Sequence, residues 1–285
     1  MKFRTELPIP KFPFKISYKD NILLLGSCFS DHIGWFLTQN RFNVLSNPFG
    51  TLFNPVSIAN AIKMTMKPEL FTEDYRYFFD NRWVSFAHHG SFSHVDENQF
   101  ITQINQRLRN TKSFLKETEF LFVTFGTAYA YRFVERDIVV ANCHKIPNTK
   151  FTKYRLKVDE IVSIYQEIIQ KIQEINPAVK TIFTVSPIRH LGDGFHENQL
   201  SKSTLHLAID QLTDDETIFY FPAYEIVMDD LRDYRFYEDD LCHVGKNAVR
   251  YIEELFADTF FNQDTKEKLK KIEKENKLLN HRKLK

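Results

Sequence analysis

Four short apolar runs each end on a residue that turns the chain, and the stretches between them carry helical periodicity. Asn21 to Leu25 stops at Gly26, Phe120 to Phe125 at Gly126, Thr181 to Val185 at Ser186-Pro187, and Thr217 to Phe221 at Pro222. Continuous rather than alternating apolar runs of this length belong to strands buried on both faces. Between them, Val158, Ile161, Tyr165, Ile168, Ile172 and Ile175 recur at steps of three and four until Pro177 ends the pattern. Asp31 to Asn40, Pro55 to Met66, Gln99 to Thr111, Ser201 to Gln211 and Lys246 to Phe260 read as further helices. Such alternation predicts an α/β fold with a mostly parallel sheet covered on both faces.

Residues 1–264 read as one domain with an insertion at about 68–95. In that insertion Tyr75, Tyr77, Phe79, Trp83, Phe86 and Phe92 alternate, and Asp80-Asn81 has the chemistry of a hairpin turn. The formal charge of +1 is unevenly spread. Residues 265–285 carry nine Lys/Arg against three Glu, which leaves 29 basic and 34 acidic residues in the body. Interleaved charges of that kind predict a solvated helix or frayed tail rather than a nucleic-acid surface. No apolar window is long enough for a membrane span, and the first twenty residues lack an apolar leader, so the chain reads as a mature cytoplasmic protein with no integral membrane segment. Cys28, Cys143 and Cys242 are odd in number and far apart, which predicts neither a disulfide framework nor a zinc site.

In an open parallel sheet, ligands sit beyond the carboxyl ends of the strands. Gly26-Ser27-Cys28 follows the first run, Asn47-Pro48-Phe49-Gly50 follows a short run from Phe42 to Leu45, and Gly126-Thr127-Ala128 follows the third. The chain has only 8 glycines, against about 20 at ordinary usage, so each marks a backbone requirement. Ser27 and Cys28 stand at a strand-to-helix turn, where a nucleophile is exposed and helix N–H groups face a developing oxyanion. A thiol there is expected to have its pKa lowered by the helix start and a nearby imidazolium. Asp240 and His243, three residues apart near the other end of the chain, supply a carboxylate and a base.

At these residues the sequence resembles the GSCFA family, a branch of the SGNH/GDSL hydrolase-like superfamily. The resemblance runs through Gly26-Ser27-Cys28-Phe29-Ser30, Asn47-Pro-Phe-Gly50, Phe125-Gly126-Thr127, Thr184-Val-Ser-Pro187, Tyr220-Phe-Pro-Ala-Tyr-Glu225, Asp230-Leu-Arg-Asp233 and Asp240-x-x-His243. It implies a flavodoxin-like three-layer α/β/α sandwich and an acyl esterase or acyltransferase acting on an O-acyl carbohydrate or small metabolite. Against the superfamily's Gly-Asp-Ser block, Cys28 falls on the nucleophile and Ser27 on the aspartate, with Ser27 kept as the rival. Gly50, Asn47, Gly126 and Thr127 are the implied oxyanion and substrate-binding residues. The superfamily's Gly-x-Asn is broken by Ala128, and losing one oxyanion donor costs about 3 to 4 kcal/mol of transition-state stabilisation. That departure motivates the alternative of a catalytically silent protein binding a carbohydrate or acyl ligand through the same cleft. No cofactor is implied, and the oligomeric state is left open.

The densest histidine group, His88-His89 and His94, has no recognised ligand spacing and reads as packing in the aromatic hairpin, so no metal is expected. Cys143-His144 reads as a reactive pair at most behind the site. Arg132, Arg189, His190 and Arg232-Asp233 border strand ends, where they either hold an anion or make surface ion pairs. No Gly-x-Gly-x-x-Gly follows a strand, which argues against nucleotide binding.

Overall fold

A computed structural model describes residues 4–67, 71 and 73–283 of the chain. Residues 68–70 and 72 of the expected insertion, 284–285 of the tail and 1–3 lie outside the described residues. The continuous apolar runs form a parallel sheet of β1 (Asn21–Gly26), β2 (Asn43–Ser46), β5 (Phe120–Phe125), β9 (Lys180–Val185) and β10 (Ile218–Tyr220), in the order β10-β9-β5-β1-β2. Leu23 and Leu25 of β1 point into one core and Ile22 and Leu24 into the other, so both faces are buried. One face is covered by α2 (Pro55–Met66), α3 (Glu97–Lys116), α4 (Val158–Ile175) and α5 (Phe195–Leu212). The opposite face carries α1 (Cys28–Gln39) and α7 (Lys246–Phe260). This is the three-layer doubly wound sandwich, and its strand order reverses between β1 and β5.

The aromatic insertion folds as expected into a hairpin of β3 (Arg76–Phe79) and β4 (Arg82–Ser85), with Asp80 and Asn81 both in the left-handed region at φ of 51° and 56°. It does not stand alone. Three further strands, β6 (Tyr129–Phe133), β7 (Ile138–Val140) and β8 (Phe151–Arg155), form an antiparallel sheet. Phe86 of the insertion packs there with Phe133, Val140 and Ile146, and the Ala141 N–H donates to the Phe86 carbonyl at 2.6 Å. These strands have only three to five residues, β7 is too short to show a period and β6 and β8 mix Tyr, Arg and Lys with apolar residues, so no periodic signal announces them.

After β10 come a single turn α6 (Ala223–Glu225), a wide helical turn over Ile226–Leu231, and a loop leading to α7. The basic tail forms α8 (Gln263–Lys283). Contrary to the expectation of a solvated or frayed segment, Thr265, Leu269 and Ile272 are buried, and the Asn276 amide donates to the Gln39 carbonyl at the end of α1. The i, i+4, i+7 spacing of those three residues suffices for a narrow docking stripe under an otherwise charged helix. None of the described helices is long and apolar enough to cross a membrane.

Candidate active site

The turn from β1 into α1 is built by Gly26, whose φ of 136° is open to glycine alone in practice. A Cβ there would lie 2.1 Å from the Thr124 carbonyl oxygen on the neighbouring strand. The Gly26 N–H donates to Asn47 Oδ1 at 2.8 Å, and its carbonyl accepts from the Leu52 N–H at 2.9 Å. Ser27 follows as the N-cap of α1. Its hydroxyl accepts from the Phe29 N–H at 3.3 Å, its own N–H donates to the Thr124 carbonyl, and its exposure is 0%. Cys28, the first helical residue, is half-buried with a free thiol.

The sulfur's surroundings oppose one another. Burial and the Asp31 carboxylate push the thiol pKa up, while the N–H groups of Cys28 and Phe29 and the charge of Lys202 pull it down, and the upward causes win. This corrects the expectation of a lowered thiol pKa: the helix start does act on the sulfur, but burial outweighs it. Asp31 is itself anchored, accepting from Asn47 Nδ2 at 2.7 Å and from the Thr51 hydroxyl at 3.0 Å.

Asp240 and His243 come from the loop between the wide helical turn and α7. Its base is closed by an antiparallel bridge of Tyr237 with Val244, by the Glu238 N–H donating to the His243 carbonyl at 2.8 Å, and by the Gly245 N–H donating to the Phe236 carbonyl at 2.8 Å. Val244 is buried, which leaves the preceding His243 on the outside. Asp240 Oδ1 accepts from the Cys242 and His243 N–H groups, and Oδ2 accepts from His243 Nδ1 at 2.5 Å. Led by the His243 ring, these bonds hold the Asp240 carboxyl down at about 2. The pair is open to solvent, with side-chain exposures of 55% for His243 and 50% for Asp240.

His243 also contributes to the electrostatics of His32, near the start of α1, and of His190, just after β9. Among the described residues it makes no hydrogen bond to Cys28 or Ser27. Arg189 anchors the loop. Its Nη2 donates to the Leu241 carbonyl at 2.7 Å, and its guanidinium lies over Tyr237 and Tyr234 at 5.0 and 5.9 Å. His190 is pulled to about 4, by burial first and then by the charges of Lys202 and His243.

The four residues expected to hold an oxyanion surround the elbow with their donors already engaged. The Gly50 N–H donates to the Asn47 carbonyl at 2.8 Å, and the Asn47 side chain bridges Gly26 and Asp31. The Gly126 and Thr127 N–H groups both donate to the Phe53 carbonyl, at 2.8 and 3.0 Å. The Thr127 hydroxyl lies 3.1 Å from that of Ser201, and Ala128, fully buried, donates its N–H to the same oxygen at 2.8 Å. These groups build the walls of the turn.

Two contributors lay outside the sequence reading. Asp31 is an acid in the first turn of α1, a position where acids are ordinary and carry no signal of a site. Lys202 is 2% exposed, and its ammonium donates to the Gly126 and Ser186 carbonyls at 2.7 and 2.6 Å. Its signal was a lysine on the apolar stripe 202, 205, 209, 212 of α5. Three other polar candidates have local partners: Arg132 pairs with Asp137 at 2.9 Å, the His88 ring with the Ser85 hydroxyl at 2.7 Å, and the His144 ring with the Ser85 carbonyl at 2.7 Å. Among the described residues no group of three His, Cys, Asp or Glu gathers as a metal site.

The family model described as the GSCFA family matches residues 21–256, from the first residue of β1 through most of α7. The chain belongs to the GSCFA family. The elbow and the Asp240–His243 loop both fall within the matched residues. No curated protein matches the chain. Among solved structures it is similar to a carbohydrate esterase family 3 from Talaromyces cellulolyticus, with 10% identity, a TM-score of 0.40, and coverage of 83% of this chain and 94% of that one. It is also similar to an acetyl xylan esterase from the rumen bacterium Butyrivibrio proteoclasticus, with 10% identity, a TM-score of 0.41, and coverage of 88% and 66%.

Proposed function

We propose that this GSCFA protein is an acyl esterase or acyltransferase that forms an acyl-enzyme on Cys28, with an O-acyl carbohydrate or small metabolite as substrate. The observation that carries the reading is the half-buried thiol at the first residue of α1; it is supported by an imidazole, His243, oriented by Asp240, that contributes to the electrostatics of His32 on the same helix. Cys28 is preferred to Ser27 because the Ser27 hydroxyl is buried and occupied in capping α1.

His243 takes the thiol proton as Sγ bonds to the acyl carbon. The Cys28 N–H at the helix start holds the resulting oxyanion. The C–O bond then breaks and His243 returns the proton to the leaving alkoxide. Water or an acceptor hydroxyl, deprotonated by His243, attacks the thioester, and the sulfur leaves to recover the proton. A thiol whose pKa is raised by burial is mostly protonated at neutral pH, so it needs this base in the attacking step. Asp240 fixes the tautomer that presents Nε2.

A ligand-binding protein without turnover is the second reading, favoured by one observation: the Gly50, Gly126 and Thr127 amides are committed to internal carbonyls. Incubation with acetyl, propionyl and butyryl esters, read by intact mass and peptide mapping, decides between them. The enzyme reading expects an acyl adduct on the Cys28 peptide that survives Ser27→Ala, disappears in Cys28→Ala, and fails to form in His243→Ala. Ligand binding unchanged by His243→Ala, with no adduct and no turnover in the wild type, supports the second reading and ends the first.

A further inference from the structure

The segment Tyr220-Phe-Pro-Ala-Tyr-Glu225 takes no part in the elbow, and its two ends meet elsewhere. β10 stops at Tyr220, Pro222 cannot continue the ladder, and the single turn of α6 brings Glu225 back to the strand end. There the Tyr220 hydroxyl donates between the two Glu225 carboxylate oxygens, at 2.9 and 2.7 Å. On α5, His206, Asp210 and Thr213 stand at i, i+4 and i+7 and so share one face. His206 Nδ1 lies 3.4 Å from the Tyr220 hydroxyl and 3.7 Å from Glu225 Oε1, and its ring meets that of Tyr224 edge-on at 5.0 Å. With Leu207, the His206, Asp210, Thr213, Tyr220 and Glu225 side chains line a cavity of about 330 Å³ between α5 and the edge strand β10. That volume lies in the range of small-ligand pockets. In the sheet order β10 stands three strands from β1, about 14 Å at the usual spacing, which sets the cavity apart from the elbow.

The charged side chains on the cavity wall are acidic. Among the described residues neither Glu225 nor Asp210 pairs with a lysine or arginine, and the imidazole beside Glu225 is no substitute. Burial first, and then the charge of Lys202, pull His206 down to about 4, so its ring is neutral at neutral pH. Lys202 itself, one turn earlier on α5, gives its ammonium to the Gly126 and Ser186 carbonyls. A half-buried carboxylate without a cation is costly, and burial accordingly pushes the Glu225 pKa up against the Tyr220 hydrogen bond. Among the described residues these groups do not gather closely enough for a metal ion. Leu207 and Ile209 give one side of the wall an apolar surface.

We infer that this cavity is a second ligand site that takes a small organic ammonium ion, its charged head on Glu225 and its aliphatic body along Leu207. An ammonium brings hydrogen-bond donors and the missing positive charge together, and the Tyr220 ring on the wall suits a cation as well. Asp210 adds a second negative charge to the same wall. An alcohol of equal length brings a donor without the charge, and a carboxylate is repelled.

The test is a carbon NMR titration of the full-length chain with labelled histidines near neutral pH, using hexylamine, hexanol and hexanoate as probes. The His206 signal, assigned by its loss in His206→Asn, should move saturably with hexylamine. Hexylamine should bind at least about tenfold more tightly than hexanol, the margin that a charged hydrogen-bond partner gives, and hexanoate should leave the signal in place. Glu225→Gln keeps an acceptor for Tyr220 and removes the charge, and should weaken hexylamine by about tenfold or more while leaving hexanol unchanged. A His206 signal that hexylamine does not move, equal affinity for the amine and the alcohol, or hexylamine binding unaffected by Glu225→Gln overturns the inference. Should Glu225→Gln fail to fold, Leu207→Lys, at a position 56% exposed, sets a competing ammonium on the wall and should weaken hexylamine by a similar factor. Undiminished binding in that variant overturns the inference equally. No readout involves an ester or Cys28. A chain that acylates Cys28 but does not bind hexylamine keeps its proposed function and loses this site, while one that binds hexylamine without acylation does the reverse.

Discussion

At the Gly26–Ser30 elbow, backbone and side-chain groups from three strands and a loop converge on five residues, whereas the Tyr237–Val244 loop hangs from its base and one arginine. Gly26 is closed in by the Thr124 carbonyl, Asn47 and Leu52, and Ser27 is wholly buried. His243 and Asp240 are about half exposed, and the loop's link to the rest of the sheet edge runs through the Arg189–Leu241 bond. The position of Cys28 is thus a property of the core, and that of His243 is a property of a few surface contacts. In a site assembled this way, changes to the first half should cost stability and changes to the second half should cost rate.

Three substitutions test that division, in descending order of expected effect. Gly26→Ala forces a Cβ to 2.1 Å from a backbone oxygen at a positive φ, and should lower stability by about 3 to 4 kcal/mol in denaturant unfolding. A loss under about 1 kcal/mol, typical of an unremarkable site, would break the claim that the elbow is held by the core. Asp240→Asn removes the acceptor that orients His243 and should reduce kcat about a hundredfold, with the unfolding midpoint unchanged because both side chains are solvated. Comparable loss of stability would show the loop to be part of the core after all. Arg189→Met cuts the Leu241 tether while keeping a side chain against Tyr237, and should reduce kcat about tenfold through misplacement of the base. Full activity in that variant would mean that the Tyr237–Val244 bridge alone positions the loop.

The main sheet was legible because its signals are local. Ile22–Leu25 is an unbroken apolar run, Phe120–Phe125 is interrupted only by Thr124, and the Val158–Ile175 stripe shows its period over eighteen residues. Strands β6, β7 and β8 were not, since all are short, β6 and β8 are half polar, and their core forms only with Phe86 of the aromatic insertion packed against it. The docking of α8 escaped for a similar reason: three buried residues among many lysines carry little periodic weight. At the site, Cys28, Ser27, Asp240 and His243 stood out by spacing and resemblance. The occupied N–H groups of Gly50, Gly126 and Thr127 did not, because a backbone donor's partner has no letter in the sequence.

By itself the amino-acid order determined the strands of the main sheet and the helices between them, where those strands must turn, and which residue types wait at those turns, because hydrophobic period and turn chemistry act over a few neighbouring residues. Tertiary structure alone decided that Ser27 is a buried cap and Cys28 a half-buried thiol, and that the Lys202 ammonium is held by the Gly126 and Ser186 carbonyls at the ends of two neighbouring strands. Burial and hydrogen bonding depend on distance in space, and only the completed sheet brings residues 26–31, 126, 186 and 202 to one edge.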